Sequence, residues 1–433
     1  MWLPPAFPRS DLRALKYILY FLSFAGLFAL SPEGRTSKIY NLFYNGYFIS
    51  VMSCVGLVTV LTAFDLYDHL NDVDVLADHG VIFTALVLIM IKQITVVRNG
   101  RRIEYWVGVV QRRFREGGDP ERARLAKNDK ETFFYIKMFS YFWFLITVSY
   151  LLPLYFEEPD EFHLPTVSSR LFGVDTVAEY ALVYTWNTVA LSLAVLGVFA
   201  IDLFIVGMYV EAASRLESIG DAFEKIADLE NEQFGNEDTP ERVDDFSTRT
   251  TNFSSIRRRV AKSVAEHNEI IKFVILFFNP CIAGSRDYFS VILRFIEELN
   301  DVFYWTLLFQ SVFVGVIVAG CGFYGFVSFL HGNTSSFFRS MMYISGAICE
   351  TWLCCTFGDR IKCSSANVAT AMWNSHWYTL AVEDQRSVLL IMQASKNPLH
   401  MAAGKLFRMD LERLGFVLSS AYSYFTVLRN IYK

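Results

Sequence analysis

The sequence predicts an all-α membrane protein with seven transmembrane helices, a cytoplasmic N-terminus, and a helical anchor domain on the cytoplasmic side. Three observations predict it. The first is composition: of 433 residues, 53% are hydrophobic and only 19% charged. A soluble chain holds about 45–50% apolar and about 25% charged residues, so the apolar excess calls for a non-aqueous surrounding. The second is the set of apolar stretches near 40–64, 75–97, 132–156, 178–210, 302–330, 336–358 and 412–432. Each reaches the ~20 residues a helix needs to cross ~30 Å of hydrocarbon, and backbone groups in lipid must be satisfied within the segment, which excludes strands. The third is the alternation of basic residues between short connections.

The N-terminal segment, 1–39, is not a cleavable signal. Met1 to Ser10 is proline-rich without a basic start, and no small-residue cleavage site precedes Ser31-Pro32-Glu33-Gly34. Tyr17–Leu30 is too short to span and reads as a helix lying at the membrane surface or packed under the bundle. Arg9, Arg13, Lys16, Arg35 and Lys38 place this segment inside. The loop after the first span has Asp65, Asp68, Asp72 and Asp74 and no basic residue, whereas 98–131 is densely basic from Arg98 through Lys130. Loop 157–177 turns acidic again, with Arg170 against Glu157, Glu158, Asp160, Glu161 and Asp175. The order inside, outside, inside, outside follows the positive-inside rule. Seven spans then leave the C-terminus outside.

Transmembrane helices one to four fill 40–210, helices five and six fill 302–358, and helix seven fills 412–433. Parity places 211–301 and 359–411 in the cytoplasm. Leu216, Ile219, Phe223, Ile226 and Leu229 recur at helical spacing, as do Phe253, Ile256, Val260, Val264 and Ile271. Acidic Glu230–Asp245 between them reads as a linker. Ile270–Ile282 is apolar but short and broken by Asn279-Pro280, so it reads as a buried cytoplasmic helix. The long helices are expected to continue the spans downward. No internal repeat is visible, which argues against an inverted-repeat transporter.

Catalytic chemistry has no foothold. There is no P-loop, HExxH, CxxC pair or nucleophile elbow, and the seven histidines lack ligand spacing, so neither a metal nor another cofactor is expected. No basic stretch suits a nucleic acid. The cysteines (Cys54, Cys281, Cys321, Cys349, Cys354, Cys355, Cys363) fall in spans or inner segments, against a disulfide framework. Cys354-Cys355 has two readings, palmitoylation near the inner interface or inert packing. Of two glycosylation sequons, Asn252 lies inside, and Asn333 lies in an outer loop too short to favour modification.

Lys92, Asp202 and Glu350 sit in spans two, four and six, one to two turns above the inner boundary, where a charge is costly. One reading pairs Lys92 with one of the acids, clamping the three spans below a pocket. The other has the charges reaching to the inner interface. In the last span Ser420, Ser423, Val427 and Asn430 recur at three and four residues, making a stripe of small and polar groups. Such a stripe lines an aqueous pore with Val427 and Ile431 as a hydrophobic constriction, or it lets helices pack closely.

The C-terminal segment resembles the insect odorant receptor family. The resemblance is carried by His376-Trp377-Tyr378-Thr379-Leu380, Gln385 to Met392, Asn397-Pro398-Leu399, Ala403-Gly404-Lys405 and Tyr422 to Arg429. Met372-Trp373 depart from it, where relatives often have Tyr. The resemblance implies a multi-pass receptor in the plasma membrane of olfactory sensory neurons, acting as an odorant-gated non-selective cation channel. It implies four subunits around a pore lined by the seventh helix, with the gate at Val427, Ile431 one turn on, and Asn430 between. It implies a heterotetramer with the shared odorant receptor co-receptor (Orco). The chain lacks the co-receptor's long insertion before span five and so reads as the odour-tuning subunit.

The family pocket lies in the outer half of spans two, three, four and six. At those depths stand His79 and Phe83; Phe144, Thr147, Val148 and Leu151; Tyr180 and Tyr184; and Phe337, Met341, Met342, Tyr343 and Ser345. Phe83 and Tyr343 are the strongest of these. An aromatic and Met-rich cage suits a small volatile molecule held by packing, and the 16% aromatic content also serves lipid-facing belts. The gate, in the outer part of the pore, is expected level with this pocket. The competing readings are a gustatory receptor-like ligand-gated channel, a membrane transporter and a non-conducting scaffold.

Overall fold

The computed structural model describes residues 12–27, 38–69, 73–151, 177–234, 285–374, 377–379, 397–404 and 406–432, with isolated positions between 385 and 393. The expected amphipathic stretch 253–271, the helix at 270–282, the outer loop 157–177 before Val177, and the Asn252 sequon lie outside these residues.

The chain folds as α1 (Arg13–Phe24), α2 (Lys38–Asp68), α3 (Val73–Arg98), α4 (Gly100–Glu116), α5 (Asp119–Leu151), α6 (Val177–Phe234), α7 (Ser285–Leu330), α8 (Thr334–Asn374) and α9 (Leu411–Tyr432). A 3-10 turn at Trp377–Thr379 and a short antiparallel hairpin, β1 (Ala402–Ala403) with β2 (Phe407–Arg408), lie between α8 and α9. Helices α2, α3, α5, α6, α7, α8 and α9 occupy the seven expected spans. Among the described residues, four stretches are by length and composition apolar enough to cross a membrane: Leu42–Asp68, His79–Arg98, Ala178–Ser218 and Ile292–Leu330. The spans in α5, α8 and α9 carry more polar side chains, and α9 turns its polar side chains away from its own bundle.

α6 is the central stave. Of its apolar window 78% is buried, against 28% for α2, so α2 lies at the rim with Leu42, Phe43, Ile49 and Phe64 turned outward. Burial along Ala200, Ile205, Tyr209, Ala212 and Leu216 is complete, because α1, α3, α5 and α8 enclose the helix. At ~1.5 Å per residue its 58 residues run to about three hydrocarbon thicknesses, so span four continues unbroken into the cytoplasm. The amphipathic stretch from Leu216 to Leu229 is its lower half, as expected of a span that continues downward, and Glu230–Phe234 are helical, not linker. α7 likewise begins at Ser285, well before the expected 302, and α8 runs past 358 to Asn374.

The surface helix exists but is shifted. It spans Arg13–Phe24, not Tyr17–Leu30, and Gly26 ends it. At φ +79° this glycine adopts the left-handed conformation, letting its N–H donate to Ser23 O (3.0 Å) and the Leu27 N–H to Leu22 O (2.8 Å). These are the paired bonds of a Schellman stop. α1 packs Ala14, Leu15, Ile18 and Leu22 against α5 and α6 and leaves Tyr17, Tyr20 and Phe24 exposed, as aromatic residues at a membrane interface are.

Its N-terminus lacks a local cap, and Asp129 of α5 supplies one. The carboxylate accepts from the N–H groups of Arg13 (3.0 Å) and Ala14 (2.8 Å). Burial pushes the Asp129 carboxyl above its ordinary range, and the donors of α1 pull it part of the way back. Asp129→Ala therefore removes a helix cap and is expected to cost about 1–2 kcal/mol, read as a lower melting temperature of the detergent-solubilised protein.

Below the membrane, α4 packs Ile103, Trp106, Val107 and Val110 inward, at helical spacing. Ion pairs tie the lower parts of the long helices together. Arg113 bonds Glu121 of α5 and Glu211 of α6 (2.7 Å), Arg215 bonds Glu211 (2.9 Å), and Arg124 pairs with Asp221. Arg360 of α8 bridges Glu131 (3.0 Å) and Glu217 (3.3 Å). A pair at the surface contributes little, but a cross-helix network of partly buried pairs fixes register. This is the anchor domain expected from the sequence, seen in its described part.

Candidate functional site

A cavity of about 120 Å³ opens between α3, α6, α7 and α8. Val81 and Leu191 stand toward its outer end with Tyr343; Ile89 and Phe199 stand toward its inner end with Glu350. α7 closes the side with Val314 and Ile317. The gap exists because small residues meet there: Ala85 on α3 faces a wall where α8 places Gly346 and Ala347 between Tyr343 and Glu350. An engineered apolar cavity of ~150 Å³ stays dry and takes benzene, so this space suits a molecule of about one ring.

A buried charge cluster forms the floor. Lys92, fully enclosed, donates through Nζ to both Asp202 oxygens (2.7 and 2.9 Å) and also to Glu350 Oε1. The sequence reading paired Lys92 with one acid or sent it to the interface; the structure joins it to both, linking α3, α6 and α8. One ammonium faces two carboxylates, and its three donors are satisfied only while all three helices stay in register. One turn further in, Thr306 of α7 donates to Thr95 Oγ (3.1 Å). Gln310, one turn outward of Thr306 and on the face that carries Val314 and Ile317, is fully buried with neither amide atom partnered among the described residues.

Of the residues expected to hold a ligand, Tyr343 lines this cavity. His79 pairs through Nδ1 with Asp65 near the outer ends of α2 and α3, one turn or less beyond Val81. Phe83 is half-buried on α3 beside the lining face. Tyr180 and Tyr184 pack on each other (5.7 Å between ring centres), Tyr184 being buried. Phe337 stacks against Phe329 (5.6 Å) at the α7–α8 turn, which Asn333 caps by accepting from the Ser336 N–H (3.1 Å). Phe144 and Met341 face outward, Met342 and Val148 are half-buried, and the Ser345 hydroxyl donates to Met342 O (2.9 Å). The side chains of Thr147 and Leu151 lie outside the described residues. The cavity thus sits deeper than the expected cage and takes its third wall from α7, not α5. The run Tyr343-Ile344-Ser345-Gly346-Ala347 carried a signal for it, a large residue followed by two small ones on one helix.

In α9 the burial pattern is one-sided. Leu414, Val417 and Ala421 pack on α7 and α8, with Val417 beside Gly315 and Phe425 edge-on to Phe326 (6.3 Å). The Ser423, Val427 and Asn430 face is exposed and Ser420 half-exposed, so the stripe points away from the chain's own bundle. Val427 is 56% exposed. The Ser420 hydroxyl donates to Phe416 O (2.9 Å) and the Ser423 hydroxyl to Ser419 O (3.0 Å), which satisfies their donors along the helix. The side chain of Ile431 lies outside the described residues. Val417 is level with Gly315 and so with the cavity wall at Val314. Val427 then stands about 15 Å further out at ~1.5 Å per residue, so the residue expected to form the gate and the cavity are not at one height.

The root of α9 is seated on the two helices that also wall the cavity. Asn300 of α7 donates to His400 O (3.2 Å) and accepts from the Ala402 N–H (2.8 Å), and the Gly404 N–H donates to Tyr304 O (2.8 Å). From α8, Asp359 accepts from the Leu411 N–H (3.1 Å) and Ser365 from the Leu399 N–H (3.1 Å). Asp410 caps α9 through the Arg413 N–H (3.0 Å).

The family model for the 7tm odorant receptor matches residues 72–422. The chain belongs to the 7tm odorant receptor family. Among curated relatives of this receptor, Odorant receptor 10 of Aedes albopictus is 24% identical over 141 residues, covering 33% of this chain and 37% of the relative. The Odorant receptor coreceptor of Anopheles gambiae is 29% identical over 86 residues, 20% of this chain and 18% of that one. The matched stretch is little more than a third of the first relative's length. Among solved structures, olfactory receptor OR5 from Machilis hrabei in complex with eugenol superposes with a TM-score of 0.69 at 14% identity, covering 97% of this chain and 98% of that one. The receptor therefore has the seven-helix fold of the insect olfactory receptors and is not an enzyme.

Proposed function

We propose that this odorant receptor is the odour-tuning subunit of a ligand-gated, non-selective cation channel. A small volatile molecule occupies the α3–α6–α7–α8 cavity, and its binding opens a pore lined by α9. The observation that carries the reading is the α9 stripe. A helix that only packed would bury its small polar face, whereas here Ser423, Val427 and Asn430 face outward, where further subunits close a pore around them. Val427, followed by Ile431, is the apolar constriction, and Ser420 lines the wall below it.

Coupling follows from shared helices. α7 and α8 wall the cavity and also hold the root of α9 through Asn300, Gly404 and Asp359. A ligand that favours one packing of α7 against α8 shifts the seat of α9 by the same free-energy difference. The outer residues His79, Phe83, Tyr180, Tyr184 and Phe337, with Val148 and Met342, form the approach above the cavity. Partner and place follow the family: a heterotetramer with the odorant receptor co-receptor, in the plasma membrane of olfactory sensory neurons.

Co-expression with the co-receptor in a heterologous cell, recorded during an odorant panel, tests this. Inward cation current is expected for a subset of single-ring or short-chain odorants, and it should change in selectivity when Tyr343 is replaced by alanine. Stoichiometric, substrate-coupled flux in place of channel current would point to a transporter.

A further inference from the structure

The cavity wall is apolar apart from two groups, the Tyr343 phenol at its outer end and the Glu350 carboxylate at its inner end. Glu350 gives one oxygen to Lys92, which already holds both oxygens of Asp202, so two carboxylates share a single ammonium. The four oxygens of these two carboxylates outnumber the three N–H donors of Lys92, so the floor keeps acceptor capacity. Buried Gln310, one turn inward of Val314 on the same face of α7, has neither amide atom partnered among the described residues. An ionised carboxylate only accepts hydrogen bonds, so a molecule resting on this floor meets it well only by donating.

We infer that the cavity selects small molecules with an apolar body that end in a hydrogen-bond donor, a hydroxyl or an ammonium, taken by Glu350, and that it rejects carboxylates. The inference rests on the cavity being the odorant site. The ring or chain fills the space between Tyr343 and Ile89, and the donor points inward to the charge cluster. The same contact gives the ligand a grip on α8 and, through Lys92, on α3 and α6. A ligand without a donor fills the same volume but leaves that acceptor capacity unmet. A carboxylate adds a third negative group to the floor and is excluded by like-charge repulsion.

The test uses the full chain assembled with the co-receptor and four probes of matched size: benzyl alcohol, benzylamine, toluene and benzoate. Evoked current and the melting temperature of the purified heteromer are read in parallel. Benzyl alcohol and benzylamine are expected to act at about tenfold lower concentration than toluene, with no effect of benzoate. Glu350→Leu leaves the Lys92–Asp202 pair intact and is expected to bring the alcohol, the amine and toluene within about threefold of each other. Glu350→Gln keeps an acceptor but no charge, and should spare the alcohol while weakening the amine; it also stands in if the leucine variant fails to reach the surface. Toluene matching the alcohol in the wild type, or Glu350→Leu keeping the tenfold preference, would overturn the donor rule and leave the cavity as odorant site. A folded complex that neither melts later nor conducts with any probe would overturn the cavity reading itself, and the donor rule with it.

Discussion

Lys92→Met is expected to remove most of the folded receptor from the cell surface. The side chain is fully enclosed and bonds both Asp202 and Glu350, so its loss leaves two acidic groups facing each other inside the bundle without their cation. Breaking a buried pair by removing one partner costs about 3–5 kcal/mol, a large share of the about 5–15 kcal/mol that keeps a domain folded. The cause can be separated from a simple packing defect. Methionine nearly matches the lysine stem, and adding Asp202→Asn with Glu350→Gln removes the stranded charge without changing volume. The triple variant should recover surface labelling to near the wild-type level, and exchange of Lys92 with Asp202 should recover part of it. A triple variant as poor as Lys92→Met alone would mean that the cluster acts by shape, not by charge.

Gly404→Val is expected to uncouple the last helix from the bundle. Gly404 has φ +61°, and a Cβ built there would lie 2.6 Å from a Leu308 methyl group of α7. The left-handed backbone costs an ordinary residue about 1–2 kcal/mol, and crowding Leu308 adds about 1–3 kcal/mol. The hairpin turn would leave α7, breaking the bond from the Gly404 N–H to Tyr304 O, while Asp410 and the α9 helix itself stay intact. The expected result is a receptor that still reaches the membrane but responds weakly. Leu308→Ala in the same chain should relieve the crowding and restore part of the response, leaving the backbone cost. Equal currents from Gly404→Val and the wild type would show that this seat carries no coupling.

Much of this was open to sequence reasoning, for definite reasons. Seven apolar runs and the Lys/Arg alternation fix the helices and their sense because hydrocarbon admits few solutions. Lys92, Asp202 and Glu350 stood out because a charge in a span needs a partner, although the sequence could not show that one lysine serves two acids. The α9 stripe was legible from its three-and-four spacing. Other features were hidden. The end of α1 at Gly26 lies inside a continuous apolar run, where one backbone angle decides the boundary. The lower end of α6 was hidden by the acidic run from Glu230, which reads as a linker although Glu230–Phe234 are helical. The cavity was hardest, since it is set by what four helices fail to fill around Ala85, Gly346 and Ala347. Sequence reading placed it among larger aromatic residues further out.

In the proposed channel the outward face of α9 lines a water-filled pore. Single cysteines at Ser423, Val427 and Asn430, in the heteromer with the co-receptor, should react with a membrane-impermeant thiol reagent applied from outside, and the odorant-evoked current should fall irreversibly. Cysteine at Val417 or Ala421, on the face packed against α7 and α8, should leave the current unchanged. Block at the buried-face positions, or no block anywhere along the stripe while the modified receptor still responds, would contradict the account.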